Sequence, residues 1–250
     1  MTAASRARFA EVVRAEPVDV GLAALLVGAE VEPSLDVDEW LGVLDSLAAA
    51  APSVGAPAMR LEVALSGFSG SPEDYEDVRS SLLHEVLRRR RGLPLLLSVV
   101  WVEVATRLGI VASYAALPGH IVVVLGDPED EHVVVDPFRG GVVLTGRSPV
   151  PVDAYELLLR LLTNIRALTA RQPRSLDAAR TRLWAVELSL LVPRRPLELR
   201  RERGELMVRL GSHVRGAEEL EEYAALVEDS DEKLAEECRR EARQARARLN

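Results

Sequence analysis

Residues 93–141 read LPLLLSVVWVEVATRLGIVASYAALPGHIVVVLGDPEDEHVVVDPFRGG, and their texture changes once, at Gly109. Before Gly109 the apolar residues, among them Leu96, Val100, Trp101 and Val104, occupy almost every side of a 3.6-residue period. That predicts a helix from about Pro94 to Leu108 buried inside a domain. Pro94 suits its first turn and Gly109 its end. After Gly109 come four short runs bounded by Gly, Pro and Asp: Ile110–Leu117, His120–Leu125, His132–Asp136 and Val142–Thr145. Their valine content and spacing predict a small antiparallel sheet. One buried helix followed by such a sheet makes the fold class α+β.

The hairpin inside this stretch carries the candidate chemistry. Its turn, Gly126–Asp130, is centred on Pro128. A symmetric hairpin would pair Leu125 with Glu131. The same register sets His120 directly across from Asp136, with Cβ atoms roughly 5 Å apart on one face. A carboxylate there holds an imidazole in one tautomer, which is the base and orienting half of a catalytic triad. The nucleophile is less evident. Ser98 lies on the buried helix, where a serine usually bonds back to its own helix. Cys238 lies among charges in a terminal helix and reads as an incidental thiol.

Outward from this centre the chain is helical. Toward the N-terminus, Val18–Glu30 places apolar residues, Leu22 included, on one face. Asp36 or Asp38 can cap a second helix through Trp40 and Leu44. Residues 58–66 form a third, and the spacing from Tyr75 to Arg91 predicts a fourth, ended by Gly92. Toward the C-terminus, breaks near Pro173, Pro193–Pro196, Gly211 and Glu228–Asp231 leave helices near 153–170, 175–192, 196–210, 214–227 and 231–248. Short joints between pieces of this length predict helical hairpins. Gly204, Gly211, Gly216 and Ala217 supply the small residues such hairpins need at their crossings. Their spacing loosely matches a tetratricopeptide repeat. The expected organisation is 1–150 as the α+β domain with its helical N-terminal region, and 151–250 as a helical connector with tetratricopeptide-like repeats.

Composition narrows the possible functions. The 250 residues include 48% hydrophobic and 28% charged, ordinary for a folded chain. Lys+Arg 31 against Asp+Glu 39 gives a net charge of −8, so no nucleic-acid partner is expected, and one would need a local basic patch. The dense candidate is Arg88–Arg91, which reads either as a docking point for an anionic partner or as a solvated helix end; the second reading is adopted. A single cysteine excludes an internal disulfide and Cys-rich zinc sites, and His84, His120, His132 and His213 are scattered singly. No metal and no cofactor is expected. The opening MTAASRARFAEVV lacks the apolar run of a signal peptide, and no segment reaches membrane-spanning length. The expected location is the cytoplasm.

Several blocks are familiar together. Arg91-Gly92-Leu93-Pro94, Leu117-Pro118-Gly119-His120 and Val135-Asp136-Pro137-Phe138-Arg139-Gly140-Gly141 resemble a bacterial transglutaminase-like family with a C-terminal tetratricopeptide region. Gly67-Phe68-Ser69-Gly70, Tyr75 and, downstream, Arg201-Glu202-Arg203-Gly204 fit it too. The resemblance implies a papain/transglutaminase-like core, with a cysteine nucleophile at the start of the central helix and His and Asp on successive strands. His120 and Asp136 match the last two. The helix start reads Leu93-Pro94-Leu95, with no cysteine. The expectation is therefore a non-catalytic protein whose helical repeats take a protein or peptide partner in binding or regulation. The alternative is an amide- or ester-bond hydrolase or acyltransferase using the His120–Asp136 pair.

Overall fold

The computed structural model describes residues 3–127 and 130–248. Along the chain lie α1 (Ala3–Val12), α2 (Val20–Gly28), α3 (Val37–Ala49), α4 (Pro57–Ala64), two 3-10 turns (Pro72–Glu76 and Val78–Ser81), α5 (Leu83–Arg89) and α6 (Pro94–Arg107). Strands β1 (Ala112–Leu117), β2 (His120–Gly126) and β3 (His132–Asp136) follow. A 3-10 turn (Pro137–Arg139) leads to β4 (Val142–Leu144) and β5 (Val150–Pro151). The remainder is α7 (Ala154–Ala170), α8 (Leu176–Ser189), α9 (Glu198–Arg209), α10 (His213–Val227) and α11 (Glu232–Ala247). The chain divides inside α7 into two compact units, one ending at Leu161 and the other beginning at Leu162.

In the first unit α6 is the buried centre. Only Glu103, Thr106 and Arg107 on it escape full burial. It packs on β1 and β2 and on α2, α3, α4 and α5. Its one carboxylate is bonded at both oxygens. Glu103 Oε1 accepts from the Gly21 amide at 3.0 Å, and Oε2 pairs with Arg107 at 2.7 Å. Burial pushes the Glu103 carboxyl above the usual range, against the bonds from Arg107 and Gly21. The acid thus serves an N-terminal amide of α2, where a negative group is favoured.

Two helical expectations need correction. Helix α2 is not one-faced: every residue but Leu22 is buried, because α1, α3, α5 and α6 all pack around it. Residues 75–91 are not one helix. Asp77 caps the second 3-10 turn by accepting from the Arg79 amide, and Leu82 is extended at φ −119°. Only α5 remains, and it ends on Arg90, not Gly92, in the left-handed region at φ 54°. Between Asp36 and Asp38 the structure selects Asp36, which accepts from the amides of Asp38 and Glu39.

The sheet is antiparallel, in the order β4-β3-β2-β1-β5. β5 was not anticipated. The β2–β3 register also differs from the symmetric hairpin. Gly126 pairs with His132 and Leu125 with Val133, so Asp136 falls opposite Val122 rather than His120. The last pair, Gly126 with His132, lies one residue further along the chain than the expected Leu125 with Glu131, so the loop keeps its expected length and is displaced by one residue; its expected centre, Pro128, lies outside the described residues. A two-residue offset keeps side-chain parity, so His120, Val122, Val134 and Asp136 still share one face. Ala115, Val122, Val124 and Val134 pack together on that face.

In the second unit α10 packs on both α9 and α11, and α8 packs on α9. The α9–α10 crossing is tight. A Cβ on Gly204 would stand 2.9 Å from Leu220 and 3.1 Å from the Gly216 carbonyl; one on Gly216 would stand 2.8 Å from the Gly204 carbonyl. Gly211 is not at the crossing. It sits at φ 90° beyond the end of α9, where its role is to turn the chain. The quartet Arg201-Glu202-Arg203-Gly204 reaches four helices between its members, with Gly204 at the α10 crossing. Arg201 pairs with Glu241 of α11 at 3.3 Å. Glu202 takes Arg166 of α7 and Arg182 of α8, the latter at 2.5 Å. Arg203 pairs with Glu219 of α10, which also takes Arg200 at 2.9 Å.

Candidate functional site

His120 opens β2 and Asp136 closes β3. The aspartate caps the following 3-10 turn, so its position is set by the backbone. Oδ1 accepts from the Phe138 amide at 3.0 Å, and the Asp136 carbonyl accepts from the Gly141 amide at 2.8 Å. The same Oδ1 meets His120 Nε2 at 2.8 Å. The pair is therefore made diagonally across the strands, through a neighbour two positions from the direct partner, a distance long side chains bridge. The Asp136 side chain is 6% exposed and that of His120 is 21%. The carboxylate is sealed while the imidazole stays reachable. In the tautomer that donates from Nε2 to Asp136, Nδ1 is the acceptor, and it has no partner among the described residues.

Two residues of this site went unrecognised as functional in the sequence. The Phe138 ring lies 5.9 Å from His120 at 84°, edge to face, and the Tyr75 ring lies 6.0 Å from Phe138 at 60°. Partial burial, and then the Asp136 carboxylate, push the Tyr75 phenol above its ordinary value. The Phe138 carbonyl accepts from the Gly70 amide at 2.9 Å, and any Cβ on Gly70 would collide with the Phe138 ring. The segment 67–70 is thus held against the 136–141 turn. The Asp-Pro-Phe block was visible as a motif; nothing in its spacing announced the ring contact with Tyr75.

The other candidates are placed elsewhere. Ser98 is fully buried, and its hydroxyl donates to the Pro94 carbonyl at 2.8 Å and more weakly to the Ile121 carbonyl at 3.5 Å. Its proton is committed to the α6 backbone, the arrangement expected of a mid-helix serine. Cys238 is buried in the second unit among Tyr223, Ala224, Val227 and Ala235, and burial pushes its thiol up. That is an unreactive environment, although Arg201 lies near enough to act against the shift.

The arginine run lies at an exposed helix end, as expected, and its side chains are engaged within the fold. Arg88 pairs with Glu85 and Glu32 and lies 5.2 Å over the Trp40 ring. Arg89 pairs with Asp77 at 3.0 Å. Arg90 lies over Phe68 and donates to the Ser66 carbonyl. Arg91 reaches the buried Asp74 at 3.1 Å. Four successive cations are consumed in clamping segments 66–80 and 32–40 onto α5. Among the described residues no cluster of three metal-ligating side chains occurs, and no helix is long and apolar enough to cross a membrane.

A central helix on an antiparallel sheet, with His and Asp on successive strands at the sheet end, is the arrangement of a transglutaminase-like core. A family model for the transglutaminase-like superfamily matches residues 53–182, just over half of the chain, and the chain belongs to that superfamily. Among curated proteins, a UPF0162 protein of Xylella fastidiosa is 34% identical over 183 residues, covering 64% of this chain and 63% of that protein. A UPF0162 protein of Pseudomonas aeruginosa is 34% identical over 155 residues, covering 58% and 54%. One of Vibrio cholerae is 27% identical over 166 residues, covering 59% and 60%. The chain thus spans under two thirds of the length of these bacterial relatives. No solved structure gives a significant match.

Proposed function

We propose that this is a non-catalytic transglutaminase-like protein acting in binding or regulation, with tetratricopeptide-like hairpins in its second unit that take a protein or peptide partner. The observation that carries the reading is the start of α6. Leu93-Pro94-Leu95 stand where the resemblance places a cysteine, and the nearby Ser98 hydroxyl is buried and bonded to the Pro94 carbonyl. Without a nucleophile, His120 and Asp136 serve as a polar anchor beside an aromatic surface made by Tyr75 and Phe138. The paired helices of the second unit, close-packed at Gly204 and Gly216, support the repeat assignment, since such hairpins present extended binding faces.

A second reading keeps a specific observation in its favour. The Asp136–His120 bond at 2.8 Å leaves Nδ1 free, which would allow His120 to draw a proton from water attacking an ester or amide. One assay separates the two. Purified protein, His120→Ala and Asp136→Asn are incubated with a panel of aryl esters, peptide amides and glutamine donors. The expected result is no turnover above buffer in any of the three. Turnover in the parent that both variants abolish would overturn the non-catalytic reading. The binding arm places a photo-crosslinking residue on α10 and asks whether the captured protein, once purified, binds with a measurable Kd that Gly204→Leu abolishes.

A further inference from the structure

The sheet face that carries His120 holds a second feature about four residues along β2. Val124 lies on the same face, roughly 13 Å away at strand spacing. There a cavity of about 260 Å³ opens between the sheet and the segment joining β4 to β5. Its apolar floor and wall are Ala115, Val124, Pro149 and Pro151. Ser113, paired across the strands with Val124, lies on the floor, and the exposed Arg147 and Ser148 come from the rim.

Those three side chains are the informative part. The Arg147 guanidinium and the hydroxyls of Ser113 and Ser148 have no hydrogen-bond or ion-pair partner among the described residues. Most arginines of this unit are engaged by carboxylates or carbonyls; this one faces a cavity. No described lining residue is a carboxylate. His132 borders the cavity with its Nδ1 held by the Asp130 carbonyl at 3.1 Å, which fixes its ring.

We propose that this pocket binds a small organic oxyanion. Arg147 provides a two-pronged contact to two oxygens, Ser113 and Ser148 donate to the anion, and the proline-lined wall takes a compact apolar group. A forked guanidinium with flanking hydroxyls is the donor set that suits phosphate monoesters and carboxylates alike. The volume admits one ring-sized substituent, and a nucleotide would overfill it. The site is distinct from His120–Asp136 and does not depend on whether that pair is catalytic.

The test is an amide NMR titration of the full chain at constant ionic strength with phenyl phosphate, benzoate and benzyl alcohol. Saturable shifts at Ser113, Arg147 and Ser148 with phenyl phosphate or benzoate, absent with benzyl alcohol, are expected. Whichever anion binds tighter identifies the headgroup. Arg147→Gln should weaken binding at least about ten-fold. Arg195→Gln, an exposed residue of the second unit with the same charge change, should not alter it. Equal response to benzyl alcohol, equal loss in both arginine variants, or no saturable shift by about 10 mM would each overturn the proposal.

Discussion

Replacing Asp74 with alanine should cost the first unit about 3 kcal/mol. The side chain is 1% exposed and receives four donors: the Ser80 hydroxyl at 2.7 Å, the Ser71 amide at 2.9 Å, the Ser71 hydroxyl at 3.2 Å and Arg91 Nε at 3.1 Å. A hydrogen bond to a charged group contributes about 1.5–3 kcal/mol, and an orphaned buried donor costs about 1–3 kcal/mol. Ser80 is fully buried and bears most of that loss; Ser71 can turn to water. Arg91 is 46% exposed and rehydrates, so it adds little. Asp74→Asn keeps one acceptor for Ser80 but sets an amide against the Ser71 donors, and should cost about half as much. Burial raises the Asp74 carboxyl, yet the bonds from Ser80, Arg91 and Ser71 outweigh it and hold the group below its ordinary 3.8. A depressed carboxylate contributes stability above its unfolded value, and that stability is lost as pH falls from about 3.8 through the lower folded value. Two compact units need not unfold together, so the readout should be local. Hydrogen exchange over peptides 66–93, with urea unfolding at pH 7 and pH 3, serves that purpose. Asp74→Ala within about 0.5 kcal/mol of the parent at pH 7, or an Asp74–Arg91 coupling above about 2 kcal/mol, would refute this apportioning.

His84 is buried beside Glu32, Glu85, Arg88 and the Trp40 ring, and burial lowers its imidazole below 6.5. The unfolded chain therefore gains a proton first as pH falls below 6.5, and stability should drop between pH 7 and pH 5 in the parent but less in His84→Phe. Identical urea midpoints against pH in both would sink that account. Gly141 sits at φ 90°, and a Cβ there would stand 2.4 Å from Trp101. Gly141→Ala should destabilise by about 2–3 kcal/mol and alter the near-ultraviolet dichroism of Trp101; an unchanged spectrum and midpoint would show that the turn relaxes freely. Cys238 should resist iodoacetamide until urea unfolds the second unit, and Cys238→Ser should cost about 1–3 kcal/mol by placing a hydroxyl among apolar neighbours. Native-state alkylation as fast as in urea would contradict its burial.

Much of the fold was readable because periodicity is long and uninterrupted where packing is simple. α6 and the five C-terminal helices fall within a few residues of their sequence limits, and strands β1 to β4 were each anticipated. The errors cluster where short-range chemistry replaces periodicity. Asp74, Asp77 and Arg91 break residues 75–91 into turns through bonds that no hydropathy pattern records. The hairpin register depended on where the turn was centred, and the centre lies one residue beyond Pro128. His120 and Asp136 still meet because a two-residue offset preserves parity, whereas an odd offset would have parted them. Tyr75 joins the site through a contact with Phe138 across more than sixty residues of chain. The helix end at Arg88–Arg91 was legible, but the pairing of Arg88, Arg89 and Arg91 was not, because most of their acidic partners, Glu32, Asp74 and Asp77, lie twelve to fifty-odd positions away.

The quartet Arg201–Gly204 sets the tolerance of the second unit to changes in chain length. Each residue of a helix is turned about 100° from the last, so deleting one residue upstream within α9 would swing all four to the wrong neighbours at once. Ion pairs to α7, α8, α10 and α11 would break together, and a side chain would be driven into the Gly216 crossing. Single-residue insertions and deletions should consequently be lethal to folding inside α9 and harmless at Ser212 or near Asp229, in the joints that follow α9 and α10. An alignment of natural sequences should show gaps at those joints and an unbroken block across α9.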